Sequence, residues 1–210
     1  MGKDLVEALA DFNEDSVMEE VKNRLESDED PMGIVHDLQK GMELVGERYN
    51  SGTYFLSELI MAADLFTRAM EIIEPRLQGV VQEILGKMVI GTPKGDIHDI
   101  GKNIFSNVAK GAGFEVHDLG ADVPVERFLE AVEEVKPEIL AFSSLITTAF
   151  EPMKEVVDAL VEKGLRDNMK VIVGGGVTTD TVRKYVGADA QTIDAVEGLE
   201  MCKRFIANKD

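Results

Sequence analysis

The chain has 210 residues, of which 44% are apolar, enough for one large or two small domains with a substantial core. Its 40 acidic and 22 basic residues leave a formal charge of -18, which argues against nucleic acid and anionic membranes as partners. A single cysteine, Cys202, excludes an internal disulfide and a cysteine-based metal cluster within one chain, and we expect it to fill space on a C-terminal helix. With no signal sequence and no membrane-length apolar stretch, the expected location is cytoplasmic.

Residues 3 to about 79 have the pattern of helices separated by short polar breaks. Two short helices are predicted near residues 3–10 and 16–25. A third follows Asp30 and Pro31, an N-cap and a first-turn proline. A fourth follows an apolar stripe at helical spacing: Leu56, Leu59, Ile60, Ala63, Phe66, Met70 and Ile73. We therefore predict a helical bundle domain over residues 1–86.

The segment 46–56, predicted to connect the third and fourth helices, is too aromatic for a plain solvent loop. It contains Tyr49, Tyr54, Phe55 and Leu56. These side chains either plug the end of the bundle or present an apolar surface to a ligand, and the residues alone leave both possibilities open.

From residue 87 onward, short apolar runs alternate with amphipathic segments. Strands are predicted at 87–91, 115–117, 139–142, 170–173 and 188–191. Helices are predicted near 99–111, 125–135, 150–163 and 179–186, with a last one from 194. This alternation predicts a second domain, residues 87–210, with a five-stranded parallel sheet of the flavodoxin-like (Rossmann-like) type. Right-handed crossovers place the carboxyl ends of its strands on one edge.

Chemically informative residues follow three of these strands. Gly95-Asp96-Ile97-His98-Asp99-Ile100-Gly101 comes after the first, Ser143-Ser144-Leu145 after the third, and Gly174-Gly175-Gly176 after the fourth. In an extended loop Asp96 and His98 can converge, and a carboxylate on one imidazole nitrogen makes the other a better ligand. The alternative is a helix N-cap aspartate beside an ordinary loop histidine. His36 and His117 are expected to be structural or exposed, and the glycines lack the order of a phosphate loop.

The order D-x-H-x-x-G, S-x-L and G-G resembles the cobalamin-binding domain of methionine synthase and its relatives. The segment 46–56 is similar to the helical cap of the same family, so the resemblance covers essentially the whole chain. It implies an α/β fold with an N-terminal four-helix-bundle cap. It also implies cobalamin or a related cobamide as cofactor, cycling between Co(I) and methyl-Co(III).

The resemblance also implies roles for individual residues. His98 would be the lower axial ligand of cobalt and Asp96 its hydrogen-bonded partner, the two catalytic residues. Tyr49 and Leu56 of the cap would face the methyl group. Gly95, Ile97 and Asp99 would line the lower face of the corrin, Ser143 and Thr147 would hold the buried nucleotide tail, and Gly174, Gly175 and Ala195 would leave room for that tail. Gly101 and Leu145 are the other cofactor-binding residues that the resemblance implies.

One departure from the family concerns a serine that extends the aspartate–histidine pair into a proton relay. Counting from Ser143 places Ala149 at that position, which leaves the relay in doubt unless Thr148 substitutes.

The implied function is a corrinoid carrier, loaded with a methyl group by a substrate-specific methyltransferase and unloaded by an acceptor methyltransferase. The donor would be methanol, a methylamine or a methoxylated aromatic, and the acceptor tetrahydrofolate or coenzyme M. A reductive activase is a further implied partner. Two alternatives stay open: the small subunit of a cobalamin-dependent isomerase, which has no use for a helical cap, and a cobalamin-sensing regulator, which needs an output module.

Overall fold

The computed structural model describes residues 4–27, 29–77 and 84–208. The chain divides into two units. One consists of Met1–Glu83 with Gly111–Gly113, and the other of Ile84–Lys110 with Phe114–Asp210. Among the described residues, no helix is long and apolar enough to cross a membrane.

The first unit contains four helices in its described part, as predicted: α1 Leu5–Ala10, α2 Glu14–Glu26, α3 Pro31–Asn50 and α4 Leu56–Ile73. Asp30 caps α3, because its side chain accepts a hydrogen bond from the Met32 amide at 3.1 Å. The apolar faces of the helices are buried against one another, so the unit has its own core.

Two details of this unit differ from the prediction. The connection between α3 and α4 is shorter than expected, since α3 continues through Gly46 to Asn50 and leaves only residues 51–55. One helical glycine costs about 1 kcal/mol, which the buried face of α3 outweighs. In α4, Leu56 and Ile60 are not part of the core but are 48% and 40% exposed. The first turn of α4 therefore presents apolar side chains outward.

The second unit is a five-stranded parallel sheet with strand order β2-β1-β3-β4-β5. Its strands are β1 Gly86–Gly91, β2 Phe114–Asp118, β3 Ile139–Ser143, β4 Lys170–Gly174 and β5 Ala190–Thr192. Its helices are α5 Ile100–Gly111, α6 Val125–Val135, α7 Phe150–Glu162, α8 Asp180–Val186 and α9 Ala195–Ala207. This confirms the flavodoxin-like (Rossmann-like) sheet with an N-terminal helical unit.

Strand β5 begins two residues later than predicted. The carboxylate of Asp189 accepts a hydrogen bond from the Val171 amide at 2.7 Å, and its own amide donates to the Val171 carbonyl at 2.8 Å. A side chain thus takes the place of a backbone acceptor, and regular pairing starts at Ala190.

The strand order reverses between β1 and β3, which lie side by side while their following helices diverge. In open α/β sheets this switch point is where a crevice opens at the carboxyl ends of the strands. Alternate residues of β1, β3 and β4 bury one face of the sheet, including Val89, Leu140 and Val171. The core therefore provides a rigid support for the loops that leave this edge.

Candidate functional site

The loop between β1 and α5 brings the Asp96 and His98 side chains together. Asp96 is fully buried, whereas the His98 side chain is 51% exposed. The Asp96 Oδ1 atom accepts a hydrogen bond from the His98 amide at 2.9 Å and lies 2.8 Å from His98 Nδ1. A proton on Nδ1 satisfies this contact, so Nε2 is the ring nitrogen left to accept or to coordinate.

The second carboxylate oxygen of Asp96 is held by the two residues that follow strand β3. Both the Ser144 hydroxyl and the Leu145 amide donate to Oδ2 at 2.7 Å. Burial raises the pKa of Asp96, but the hydrogen bonds from Ser144, His98 and Leu145 outweigh that effect and lower this pKa to about 2. The carboxylate is therefore ionised at neutral pH.

Ser144 is a candidate site residue that the sequence prediction missed. The sequence prediction considered positions 149 and 148 for a hydroxyl near Asp96. Ala149 is buried and has no polar group, and Thr148 is exposed, while Ser144 is 1% exposed and bonded to Asp96. Successive strand residues point to opposite faces of a sheet, so the adjacent serines Ser143 and Ser144 have different surroundings. Only the pairing of the strands shows which serine meets Asp96.

The carboxyl ends of β3, β4 and β5 lie in register. Ser143 pairs with Gly174, and Gly174 pairs with Thr192. Of the other predicted residues, Thr147 begins a short 3-10 turn and is exposed, and Ala195 is the half-buried first residue of α9. The strand pairing thus aligns Ser143 and Gly174, whereas Thr147 and Ala195 lie on the elements that follow.

The structure supplies a different reason for glycine at position 175. Gly175 has a φ of +105°, and a Cβ atom there would lie 2.0 Å from the Ser144 carbonyl oxygen. Backbone conformation and protein packing therefore already require a glycine. At Gly174 the nearest atom to such a Cβ, the Thr192 carbonyl oxygen, is 3.4 Å away, so Gly174 is the better position for probing room for a ligand.

A buried lysine anchors the start of α5, directly after the Asp96–His98 loop. Lys102 is 2% exposed, and its Nζ bonds to the Asp118 carboxylate and, at 2.7 Å, to Asn103 Oδ1. Asn103 in turn donates to the Asp99 carboxylate at 3.2 Å. A solvent-facing lysine was the ordinary expectation for this position, and only the fold shows that it is internal.

In the helical unit, Arg48 organises the short connection between α3 and α4. Its Nη1 donates to the Ala10 carbonyl at 3.1 Å, to Asp11 at 2.9 Å and to the Tyr54 hydroxyl at 2.6 Å. The next two residues, Phe55 and Leu56, are 71% and 48% exposed. Tyr49, in the last turn of α3, is half-buried.

Two comparisons with known protein families cover most of the chain. Residues 86–201 and residues 1–74 each match a family described as a B12 binding domain. The chain belongs to the B12-binding family. It is a corrinoid-binding protein of the kind associated with methyltransferases.

Relatives and solved structures match this B12-binding protein over nearly its whole length. It is 36% identical to dimethylamine corrinoid protein 1 of Methanosarcina mazei over 99% of its own length and 96% of the relative's. A cobalamin-binding protein from Desulfitobacterium hafniense is 39% identical, with a TM-score of 0.74 and 96% of both chains covered. The methanol:cobalamin methyltransferase complex of Methanosarcina barkeri contains a chain 32% identical, with a TM-score of 0.86, covering 98% of this chain and 79% of that one.

The residues at the sheet edge fit a corrinoid. Among the described residues, no group of three histidine, cysteine or acidic side chains could hold a metal ion, so a metal at His98 would have to bring other ligands, as a corrin does. Three isoleucines at this edge are largely exposed: Ile97 in the loop after β1 at 74%, Ile100 at the start of α5 at 76%, and Ile193 between β5 and α9 at 71%. Exposed apolar side chains along the same sheet edge as an available imidazole nitrogen suit a broad ring with a central metal.

Proposed function

We propose that this B12-binding protein carries a methyl group on cobalt from a substrate-specific methyltransferase to an acceptor methyltransferase. The observation that carries the proposal is the Asp96–His98 pair, in which Nδ1 is held and Nε2 is left for cobalt. Methylamines are the favoured donors, because relatives matching nearly the full chain are named dimethylamine corrinoid proteins. Coenzyme M or tetrahydrofolate would be the final acceptor.

The chain itself would supply an axial ligand and a fixed cradle. His98 would coordinate cobalt through Nε2, while Asp96 holds the ring and Ser144 holds Asp96. The bound cofactor supplies the chemistry, in that its cobalt accepts a methyl group in one oxidation state and donates it in another. A proton on His98 Nδ1 can be shared with Asp96, whose other oxygen meets the Ser144 hydroxyl, so Ser144 would serve in place of the family's relay serine.

The small and polar residues at the other strand ends would accommodate the cofactor's nucleotide tail. Ser143 and Thr147 would hold it, and Gly174, Gly175 and Ala195 would leave room for it. The residues below the corrin would be Gly95, Ile97, Asp99, Gly101 and Leu145. A Cβ on Gly95 or Gly101 would meet no atom within 4 Å, so both positions have open space for a ligand.

The helical unit would shield the methyl group. Tyr49 and Leu56 are proposed to face it, and the exposed apolar side chains of Phe55, Leu56, Ile60 and Met61 support a surface made to cover a ligand. A partner enzyme must then displace this cap to reach the methyl group, which makes cap opening the gating step. A reductive activase would restore protein whose cobalt has oxidised.

The deciding experiment is an electron paramagnetic resonance spectrum of the Co(II) form, made from nitrogen-15-labelled protein and unlabelled cobamide. Coupling to a labelled nitrogen is expected, and His98→Ala should remove it while the corrinoid stays bound. His117→Ala is the matched control, because His117 is a half-exposed histidine of the same unit that contacts Glu115 at 2.6 Å. Coupling to unlabelled nitrogen in the wild type would mean that the cofactor keeps its own base.

The cap is tested separately by light. Leu56→Ala should speed photolysis of the bound methylcobamide severalfold, because the shield loses its branched side chain. Val161→Ala is the control, since Val161 is 58% exposed but lies on α7 of the sheet unit. Equal photolysis rates in the Leu56 variant and the wild type would reject the shielding role.

The donor is tested by methylation of the reduced protein. With a dimethylamine-specific methyltransferase, dimethylamine should methylate the cobalt faster than methanol does with a methanol-specific enzyme. The opposite order would transfer the assignment to methanol without affecting the carrier role.

A further inference from the structure

The loop between β2 and α6, residues 119–124, lies beside the Asp96–His98 loop. The Thr92 amide donates to the Gly120 carbonyl at 3.0 Å, and the Val123 amide donates to the Thr92 carbonyl at 3.0 Å. Pro93 and Val123 form a parallel bridge beyond the ends of β1 and β2. The two loops therefore continue the pairing of their strands past the sheet edge.

Asp122 makes two hydrogen bonds to the Asp96–His98 loop. Its carboxylate Oδ1 accepts from the Gly95 amide at 2.7 Å, and its own amide donates to the Asp96 carbonyl at 2.9 Å. Asp122 has a φ of +54°, in the left-handed region that L-residues other than asparagine and aspartate seldom adopt. In this backbone conformation the carboxylate and the amide of Asp122 both bond the Asp96–His98 loop.

Asp96 is thus held from two sides by different atoms. Ser144 and Leu145, which follow β3, donate hydrogen bonds to the Asp96 carboxylate. Asp122, which follows β2, bonds the Asp96 carbonyl and the Gly95 amide. Neither set replaces the other, because the first fixes the carboxylate and the second fixes the backbone from which the His98 loop departs. Removing either set leaves the loop held on one side only.

We propose that Asp122 is a positioning residue for the axial ligand, and that it sets how much of the bound cobalt is coordinated by His98. This inference rests on the proposed function of His98. Metal–ligand distances tolerate deviations of only about 0.2 Å, so a small displacement of the loop main chain is enough to break coordination. Asp122 acts through Gly95 and Asp96 and touches neither cobalt nor a reacting atom.

Three substitutions separate the carboxylate from the backbone conformation. Asp122→Gly removes the acceptor and keeps the left-handed backbone accessible. Asp122→Asn keeps an acceptor oxygen and a residue type that tolerates this conformation. Asp122→Ala loses both, so it should show the largest effect and the greatest loss of stability.

The first readout is the share of Co(II) protein whose paramagnetic resonance shows coupling to a labelled protein nitrogen. In Asp122→Gly the ratio of coordinated to uncoordinated cobalt should fall about threefold to tenfold, the range expected for the loss of one ordinary, solvent-exposed hydrogen bond. Asp122→Asn should stay within about twofold of the wild type. Wild-type coordination in Asp122→Gly would overturn the proposal.

The second readout needs no cofactor. In the free protein, amide exchange at Gly95 measured by nuclear magnetic resonance should speed up in Asp122→Gly by about threefold to tenfold, and Asp122→Asn should restore protection. Unchanged exchange in Asp122→Gly would also overturn the proposal, because the carboxylate would then not hold the loop.

The two proposals fail differently. If the wild type shows no coupling to a protein nitrogen, the assignment of His98 fails and the role of Asp122 fails with it. If the wild type is coupled but Asp122→Gly is equally coupled, the role of Asp122 alone is wrong and the carrier function stands.

Discussion

The Asp96–His98 loop of the sheet unit and the short connection before α4 in the helical unit both present exposed groups on a hydrogen-bonded support, but the supports differ. In the sheet unit the support is the fully buried Asp96 carboxylate, which is bonded to Ser144 and Leu145, 48 and 49 positions further along the chain. In the helical unit it is Arg48, whose side chain is 24% exposed and whose ion-pair partners are partly open to solvent.

This difference indicates two mechanical roles. A buried, fully satisfied network holds one geometry, which suits a metal ligand. Hydrogen bonds of a solvent-accessible side chain are weaker and can be replaced by bonds to water, which suits the proposed movement of the helical unit.

Asp96→Ala should lower the free energy of unfolding by about 3 kcal/mol, since it leaves the Leu145 amide without its acceptor and removes the carboxylate that the buried Ser144 hydroxyl bonds. The Ser144 hydroxyl then keeps the Ile146 carbonyl, at 3.0 Å, as its acceptor. Urea denaturation of the free protein measures this effect. His98→Ala is the control: it removes the same pair from its half-exposed side and should cost less than about 1 kcal/mol. Equal losses would show that the network is no stronger than a surface contact.

Arg48→Ala should lower the free energy of unfolding by only about 1 to 2 kcal/mol, because its carboxylate partners Glu7 and Asp11 are accessible to water. The buried Ala10 carbonyl keeps its hydrogen bond from the Tyr54 hydroxyl. It should also speed photolysis of the bound methylcobamide, as the connection that carries Leu56 loosens. Tyr54→Phe is the milder comparison, since it removes only the hydroxyl that donates to the Ala10 carbonyl at 2.8 Å. A stability loss in Arg48→Ala as large as that of Asp96→Ala would erase the contrast between the two units.

Acid should weaken the sheet-edge network in a defined pH window. The folded-state pKa of Asp96 is lowered to about 2, so the stability it contributes is present above the ordinary carboxyl pKa and is lost as pH falls towards 2. About 1 kcal/mol of this contribution should be gone by pH 3. Between pH 6 and pH 3 the free energy of unfolding should therefore fall more steeply for the wild type than for Asp96→Asn. Parallel curves for the two proteins would contradict the lowered pKa.

Cys202 should remain unreactive towards thiol reagents at neutral pH while the sheet unit is folded. Burial on α9 raises the pKa of this thiol to about 12, and the side chain is fully enclosed. Reaction with a disulfide reagent should occur only after denaturant is added. Rapid reaction in buffer would mean that the sheet unit opens as readily as the helical cap is proposed to do.

Much of the fold was predictable because it depends on local patterns. Helical spacing of apolar residues and the Asp30–Pro31 start signal identify α3, and short apolar runs that end in glycine or serine identify β1, β3 and β4. The end of α3 was not predictable, since a single glycine at 46 looks like a helix end unless the buried face that outweighs it is known. The exposure of Leu56 was not predictable either, because periodicity identifies an apolar helix face but not how deeply each of its residues is buried.

The sequence by itself determined the class of sheet, the edge at which the ligand residues gather, and the Asp96–His98 pair, because these follow from alternation and from a spacing of two residues. The tertiary structure decided that Ser144 bonds Asp96, that Lys102 is buried and that Asp122 bonds the Asp96–His98 loop. Each of these contacts depends on residues that are distant in sequence and lie at the ends of neighbouring strands or on the helices and loops that follow them. Such contacts depend on which strands become neighbours and in which register, and no local pattern contains that information.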